Sequence, residues 1–483
     1  MSKNTYNRVT TSFVSDLKKI LPMQAIVYDD PEELEAYSKD ESGSERSLPE
    51  VVVKPSTADQ VSEVVKLCCK HHIPITPRGA GSGLSGGAIP IHGGLVLSLE
   101  KMDRILEIDE NDMIAVTEAG VVTNILCQEA AAKRLYYAGY PMSVETSFIG
   151  GNAATNAGGS KTLKYGNTAK HILGAEVVFP NGETLVLGGK RRKDSSGYNL
   201  LQTLIGSEGT LGIFTKLYLN LIPHPGKIVD LLVPFRQLNE ALEAVFKVIT
   251  ATERLPSALE FIGGQLANIS CRYNNTSFPD QQEASAYLVI QYEGEEDKLM
   301  DVCKLAGSAC MKAGAIDIYV ADNRINHERI WKVRRNTLEA LRAIDPHVIT
   351  GDVVVPLSQL INMIMYIKEL SEESGTGIAI VAHASDGNIH PAPFSWGKNM
   401  SIQVKRKHYE SILDRIALKA ADLGGAVSGE HGIGLTKKKL LAKTKTAQIK
   451  VMKQMKMALD PVSYTHLRAH ETPEHLVCRL LLE

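Results

Sequence analysis

Paired cysteines are missing from this chain. Seven are spread through 483 residues (Cys68, Cys69, Cys127, Cys271, Cys303, Cys310 and Cys478), and no CxxC spacing occurs. An odd, unpaired set offers neither a disulfide framework nor a zinc ribbon, so reduced, structural thiols are expected. No apolar run approaches the ~20 residues that a membrane helix requires, and the polar start Met1–Arg8 is followed by no apolar stretch suited to a signal. The expectation is a cytoplasmic chain without an integral membrane segment. An excess of one charge is lacking too: 53 Lys+Arg against 55 Asp+Glu leave a net charge of −2. No stretch clusters enough Lys and Arg to track a phosphate backbone, which sets nucleic acid aside as a partner. With 44% hydrophobic and 22% charged residues the composition is that of a folded chain. At ~150 residues per domain its length allows roughly two to four domains.

What the chain does have is an α/β alternation from Val51 to about Pro223. Val51-Val52-Val53 and Ile73-Pro74-Ile75 read as strands flanking a helix over Ser56 to His71. Ser56 or Thr57 is its cap, and Val61, Val64, Val65 and Cys68 recur at helical spacing. Strands are expected at Leu95 to Leu99 and Ile114 to Thr117. A hairpin is expected over Ala175 to Phe179 and Thr184 to Leu187, turned by Pro180-Asn181-Gly182. Beyond Pro223 the pattern becomes strand, helix, strand, twice over: Ile228 to Val233, Leu238 to Ile249, Ala258 to Ile262, then Ala286 to Tyr292, Glu296 to Ala313, Ile316 to Val320. That is the pattern of a ferredoxin-like sheet with helices on one face. One long helix over Asn323 to Ile344, strands near Val353 to Val355 and Ile378 to Ala382, and a mostly helical stretch from Ser401 complete the reading.

The fold class that follows is α+β. The expected domains are a helical arm (1–47), an α/β domain (48–224), a second domain (225–425), a C-terminal helical segment (426–460) and an anomalous tail (461–483). In that tail the helical periodicity stops, and it reads as a vector-derived or out-of-frame end, or as a genuine but poorly packed one.

Glycine is concentrated at three places in the first half. Pro77-Arg78-Gly79-Ala80-Gly81-Ser82-Gly83 continues through Leu84-Ser85 to Gly86-Gly87, Ile149-Gly150-Gly151-Asn152 runs on to Gly158-Gly159, and Gly206-Ser207-Glu208-Gly209 leads to Gly212-Ile213. Glycines this dense suit a chain that turns through positive φ or brings its N–H groups against a phosphate-bearing ligand. The lysine of a Walker loop is absent, so no nucleoside-triphosphate loop is read here. Three such segments in one domain imply a long cofactor.

Chemistry-bearing residues lie in the second half. His383-Ala384-Ser385-Asp386-Gly387-Asn388-Ile389-His390 sets two imidazoles on either side of an Asp-Gly turn. Ser428-Gly429-Glu430-His431-Gly432-Ile433-Gly434 sets an acid beside a base in a glycine-flexed loop. From spacing alone the histidines are metal ligands or satisfied turn residues, and the Glu-His pair is acid and base or an exposed helix boundary. Arg334-Arg335 follows Trp331 as a fork for a carboxylate, or as a solvated helix face pairing with Glu339.

With all these motifs in order over about residues 48 to 460, the chain resembles the FAD-linked oxidoreductases of the vanillyl-alcohol oxidase type. Within them it resembles the glycolate oxidase flavoprotein subunit and D-lactate dehydrogenases. The resemblance implies a two-subdomain FAD-binding domain of the PCMH type plus a ferredoxin-like cap domain. It implies pyrophosphate on Arg78 to Ser82, with Pro77 and Gly83 beside it. It implies isoalloxazine and ribityl contacts along Thr146 to Ser160, namely Thr146, Ser147, Ile149, Gly150, Gly151, Asn152, Ala154, Asn156, Ala157, Gly158 and Gly159, with Pro141 nearby. Glu208, Gly209, Gly212 and Ile213 would close the pocket. Ser82 stands where some relatives carry a flavin-linking histidine, so non-covalent FAD is expected.

By the same resemblance His383, His390 and Glu430 become ligands of a divalent metal, Zn or Mn, His431 the base and Arg334 the substrate-carboxylate arginine. Ser385 departs from the relatives' glycine. Thr350-Gly351 ahead of Asp352 replaces a lysine that holds a second carboxylate, which favours a small 2-hydroxy acid such as D-lactate or glycolate. Electrons would pass to a partner such as an electron-transfer flavoprotein or an iron–sulfur subunit, and a homodimer is left open. Relatives usually continue after Asp460-Pro461 into an Asn-Pro-Gly segment that this sequence lacks. The rivals are a non-catalytic electron-relay subunit, a hydrolase using the metal site alone, and an alkyl-glycerone-phosphate synthase, whose lipid entry surface nothing in the sequence suggests.

Overall fold

The Thr57 hydroxyl accepts the Gln60 N–H at 3.2 Å, so Thr57 and not Ser56 caps the helix Ala58–His71. That helix ends where His72 turns into the left-handed region at φ 55. Val61, Val64, Val65 and Cys68 are fully buried along it. It forms the crossover between two strands of a four-stranded sheet, whose order is Ile26–Val27, Val51–Val53, Leu95–Ser98, Ile75–Arg78. Val51–Val53 and Ile75–Arg78 both run parallel to Leu95–Ser98, and all three residues of Val51–Val53 are buried, as parallel strands require. The computed structural model describes residues 6–461 except 253 and 396–399. The tail from 462 onward, including Cys478, lies outside the described residues.

The chain forms two compact units, one made of Met1–Ala157, Asn167–His224 and His431–Glu483, the other of Gly158–Gly166 and Pro225–Glu430. In the first unit a second, antiparallel sheet runs in the order Ile105–Asp109, Ile114–Glu118, Ile213–Asn220, Ile172–Val178, Thr184–Gly188. Its last two strands are the expected hairpin. Gly182 alone takes positive φ (82°) in the turn, while Asn181 contributes its side-chain oxygen to the Glu183 N–H. The segment before residue 48 does not stand apart as an arm. Phe13 and Leu17 are fully buried in the core of the first unit, and Ile26–Val27 pairs with Val51–Val53. A Phe13→Ala variant is expected to lose about 3–5 kcal/mol, seen as a lower unfolding midpoint of the first unit; an unchanged midpoint would return the segment to arm status.

The second unit holds a seven-stranded sheet in the order Tyr319–Ala321, Lys227–Phe235, Ala286–Gly294, Ala258–Gly263, Gly377–His383, Asn388–Phe394, Val353–Val354. The first four strands have the ferredoxin-like order, and three more extend the edge. Helices on one face alone do not describe it. Along Lys227–Phe235 both the odd and the even positions from Val229 onward are buried, so both faces are covered. Helices Leu238–Ala251 and Glu296–Ala313 pack together, while Gly264–Tyr273 packs with Arg324–Arg335 and Thr337–Ile344. The single helix expected over Asn323 to Ile344 is two, joined at Asn336 (φ −87°, ψ 17°). The break is accommodated because the Ser270 hydroxyl donates to the Val333 carbonyl at 2.6 Å and the Thr337 hydroxyl to the Arg334 carbonyl at 3.2 Å.

Candidate active site

The strand Ile75–Arg78 runs on further than its apolar start suggests, carrying Pro77 and Arg78 up to Gly79. A Cβ placed on Gly79 would lie 3.7 Å from the Gly151 Cα and 3.8 Å from the Phe148 Cβ, so the first two glycine segments touch. The third joins them: the Gly206 and Glu208 N–H groups donate to the Ala153 and Ala154 carbonyls at 3.0 and 2.7 Å, and Gly209 faces the Pro77 ring. A Cβ on Gly151 or on Gly83 would meet nothing within 4 Å, which leaves a bare-backbone wall open to a ligand.

The asparagines have partners within the fold. Ile149–Thr155 is a short helix, from which the Asn152 amide donates to the Thr123 hydroxyl at 2.8 Å. Asn156 closes it at φ 51 and accepts the Ala169 N–H at 3.0 Å. Thr146 is exposed, Ser147 is buried with its hydroxyl on Thr123, and Pro141 is buried. Gly158 and Gly159 fall in the second unit, where a Cβ on Gly158 would come within 2.8 Å of the Glu430 carboxylate.

Two residues expected on the cofactor have partners within the protein. The Arg78 guanidinium is buried under its own loop, donating to the Lys39 carbonyl at 2.8 Å and the Ala88 carbonyl at 3.3 Å. Gly81 passes over it at φ 75, where any side chain would land on the guanidinium. Glu208 uses its carboxylate to accept the Ile433 and Gly434 N–H groups, both at 2.8 Å. The Ser85 hydroxyl donates to the His431 and Gly432 carbonyls at 3.0 and 3.1 Å, and the Ser85 carbonyl accepts the Leu435 N–H at 2.7 Å. The His431 loop is thus clamped through its main chain by the first and third glycine segments. Lys456, on the helix Thr446–Leu459, donates to the Thr210 carbonyl at 2.7 Å and ties that helix to the third segment.

In the second unit, Gly377–His383 and Asn388–Phe394 form a hairpin in which Val381 pairs with His390. Positions 381 and 383 share a face, so the register puts both imidazoles on that face. Their rings stand 5.2 Å apart at 86°. One Glu430 oxygen lies 3.4 Å from His383 Nε2 and 3.3 Å from His390 Nε2, and the three ligand atoms lie within 4.8 Å of one another. Ser385 has no positive φ, so its side chain does not strain the turn, although its hydroxyl is buried without a hydrogen-bond partner.

Behind these residues stand two carboxylates that the sequence reading did not single out. Glu260, fully buried on the strand Ala258–Gly263, accepts from His383 Nδ1 at 2.7 Å and from Arg334 Nε at 2.7 Å. Asp352 accepts from the Ser428 hydroxyl at 2.7 Å, the Asn388 amide at 2.9 Å and the Gly429 and Glu430 N–H groups at 3.1 and 3.2 Å. Asp352 therefore positions the Glu430 backbone. The only signal for Glu260 was an acid within an apolar strand, and burial alone turns that into a partnership. Arg335 pairs with Glu328 at 3.1 Å, not with Glu339.

Burial by itself would lower the His383 pKa, but Glu260 and Glu430 overrule it and hold the imidazole well above its usual value. Burial likewise pushes against the Glu260 charge, yet Arg334 and His383 keep its carboxyl below the ordinary range. Asp386 is pushed up to about 6, chiefly by burial.

Residues 49–188 match the FAD binding domain family, and residues 225–464 match the C-terminal domain of FAD linked oxidases. The chain is 36% identical over 468 residues to a D-lactate dehydrogenase of Anaerostipes hadrus, covering 95% of this chain and 97% of that one. The chain belongs to the FAD-linked oxidases. This flavoenzyme is also 35% identical to the glycolate oxidase subunit GlcD of Bacillus subtilis, over 88% of its own length and 89% of the relative's. Its fold is that of the 4-ethylphenol oxidase from Gulosibacter chungangensis, with a TM-score of 0.78 at 16% identity over 98% of this chain and 100% of that one. The two matched regions divide the oxidoreductase as its glycine segments and its histidines do. The first two segments fall in the FAD binding domain, while Arg334, His383, His390, Glu430 and His431 fall in the oxidase domain. Among the described residues no helix is long and apolar enough to cross a membrane.

Proposed function

We propose that this FAD-linked oxidoreductase oxidises a small D-2-hydroxy acid, D-lactate or glycolate, to the 2-oxo acid and passes the electrons to a separate acceptor, an electron-transfer flavoprotein or an iron–sulfur subunit. The observation that carries the reading is the His383, His390 and Glu430 trio, backed by one carboxylate, Glu260, that also holds Arg334.

The residues present fit both groups. The open glycine wall at Gly83 and Gly151 suits non-covalent FAD, and two imidazoles with a carboxylate form a donor set for Zn or Mn. When bound, FAD takes up the C2 hydride and a divalent ion lowers the pKa of the substrate hydroxyl, as it does for bound water. His431 accepts the hydroxyl proton, and Arg334 holds the substrate carboxylate so that C2 is oriented. Thr350 and Gly351 provide no second cation for a dicarboxylate; Gly351 is tied to the Pro391 carbonyl at 2.7 Å. The names of the D-lactate dehydrogenase and glycolate oxidase relatives agree with this substrate class.

The test is a panel of 2-hydroxy acids mixed anaerobically with the FAD-loaded, metal-loaded chain. D-Lactate or glycolate is expected to bleach the flavin absorbance and D-2-hydroxyglutarate to leave it. Failure of every 2-hydroxy acid would leave the electron-relay reading in its place.

A further inference from the structure

We propose that Glu260 is a positioning residue that couples metal binding to carboxylate recognition, so that the two halves of 2-hydroxy acid binding are set by one buried group. The inference rests on the reading of His383, His390, Glu430 and Arg334 given above. Glu260 has no exposed surface, and among the described residues its hydrogen bonds come from two side chains only. One oxygen takes His383 Nδ1 at 2.7 Å; the other takes Arg334 Nε at 2.7 Å, with Nη2 at 2.5 Å.

Each bond dictates what its partner can do. A proton held on Nδ1 by a carboxylate leaves the Nε2 lone pair of His383 for a metal, and Nε2 is the atom that faces Glu430. A guanidinium that donates to Glu260 through Nε, with Nη2 close beside the same oxygen but buried without a hydrogen-bond partner, keeps its terminal N–H groups for an incoming anion. The substrate carboxylate is therefore met by the terminal Nη groups, the Nε edge being taken by Glu260. The strand pairing makes the arrangement rigid, because Glu260 and His383 are direct neighbours across the sheet.

A glutamine at 260 cannot satisfy both partners while His383 keeps its Nδ1 proton. Its oxygen accepts from one of them, and its amide N–H then opposes the N–H of the other. Glu260→Gln in the FAD-loaded protein is expected to raise the dissociation constant for Mn²⁺ or Zn²⁺ by about 10–100-fold, as loss of an outer partner of a metal-bound histidine does. The same variant is expected to raise the KM for D-lactate. Metal affinity is read by competition with a chelating dye, per folded molecule, so that a loss of stability is not mistaken for a loss of affinity.

A second measurement needs no variant: nitrogen-15 NMR of the metal-loaded wild type should show His383 protonated at Nδ1 and not at Nε2. Unchanged metal affinity and KM in Glu260→Gln, or an Nε2-protonated His383, would overturn the coupling. A wild type that binds no divalent metal and whose flavin no 2-hydroxy acid bleaches would instead overturn the proposed function, and the coupling with it. A wild type that binds metal and is bleached by D-lactate, beside an unaffected variant, removes the coupling alone.

Discussion

Replacing His431 by alanine is expected to slow D-2-hydroxy acid turnover by about 10²–10⁴, the usual contribution of a positioned general base, while FAD stays bound. The retention of flavin follows from how the loop is held. Its grip on the fold runs through main-chain groups: the Ile433 and Gly434 N–H groups on Glu208 and the His431 and Gly432 carbonyls on Ser85. None of these needs the imidazole. Gly434, at φ 46, lies where a Cβ would strike the Ser85 carbonyl, so the loop tolerates little movement. Stopped-flow reduction of the flavin by D-lactate measures the step directly, and a rate equal to wild type would assign the proton to another group.

On the proposed function, the Glu430→Gln enzyme is expected to bind divalent metal far more weakly than the wild type and to turn over at least about a hundredfold more slowly. The polarising effect of a metal is worth several kcal/mol, and each 1.36 kcal/mol is a factor of ten. Glu430 is the one carboxylate in the trio, and one of its oxygens lies 3.4 Å from His383 Nε2 and 3.3 Å from His390 Nε2. Glutamine keeps the shape and removes the charge, so the Asp352 clamp on the Glu430 backbone is preserved and a folding defect is not the expected cause. Elemental analysis of the purified variant beside the wild type, with turnover before and after chelation, decides it. Full metal content, or a wild type indifferent to chelation, would remove the metal from the reaction.

Much of the second unit was written in local pattern. The helix over Glu296–Ala313 and the strands around Ala258 and Ala286 lie where hydrophobic periodicity puts them. That periodicity reports which side of an element is buried, and burial is what selects the element. Asn336 broke a helix that the pattern ran straight through, because the groups that take up the freed carbonyls, Ser270 and Thr337, are a packing neighbour and a single hydroxyl. The ferredoxin-like order was legible, and strands near Val353 and Ile378 were expected, but their joining to the same sheet was not, since it rests on pairing Glu260–Ile262 with Val381–His383, far apart in the chain.

The chain order of residues was enough to name three glycine segments, two imidazoles flanking a turn and an adjacent acid and base, because each is a local pattern with a chemical reason. What the partners of those groups are was decided only in three dimensions. Arg78 went beneath its loop, Glu208 to the His431 loop, and Glu260 to His383 and Arg334 together. A buried charge must find a counter-charge or a donor wherever the fold supplies one, and sequence distance places no limit on where that is.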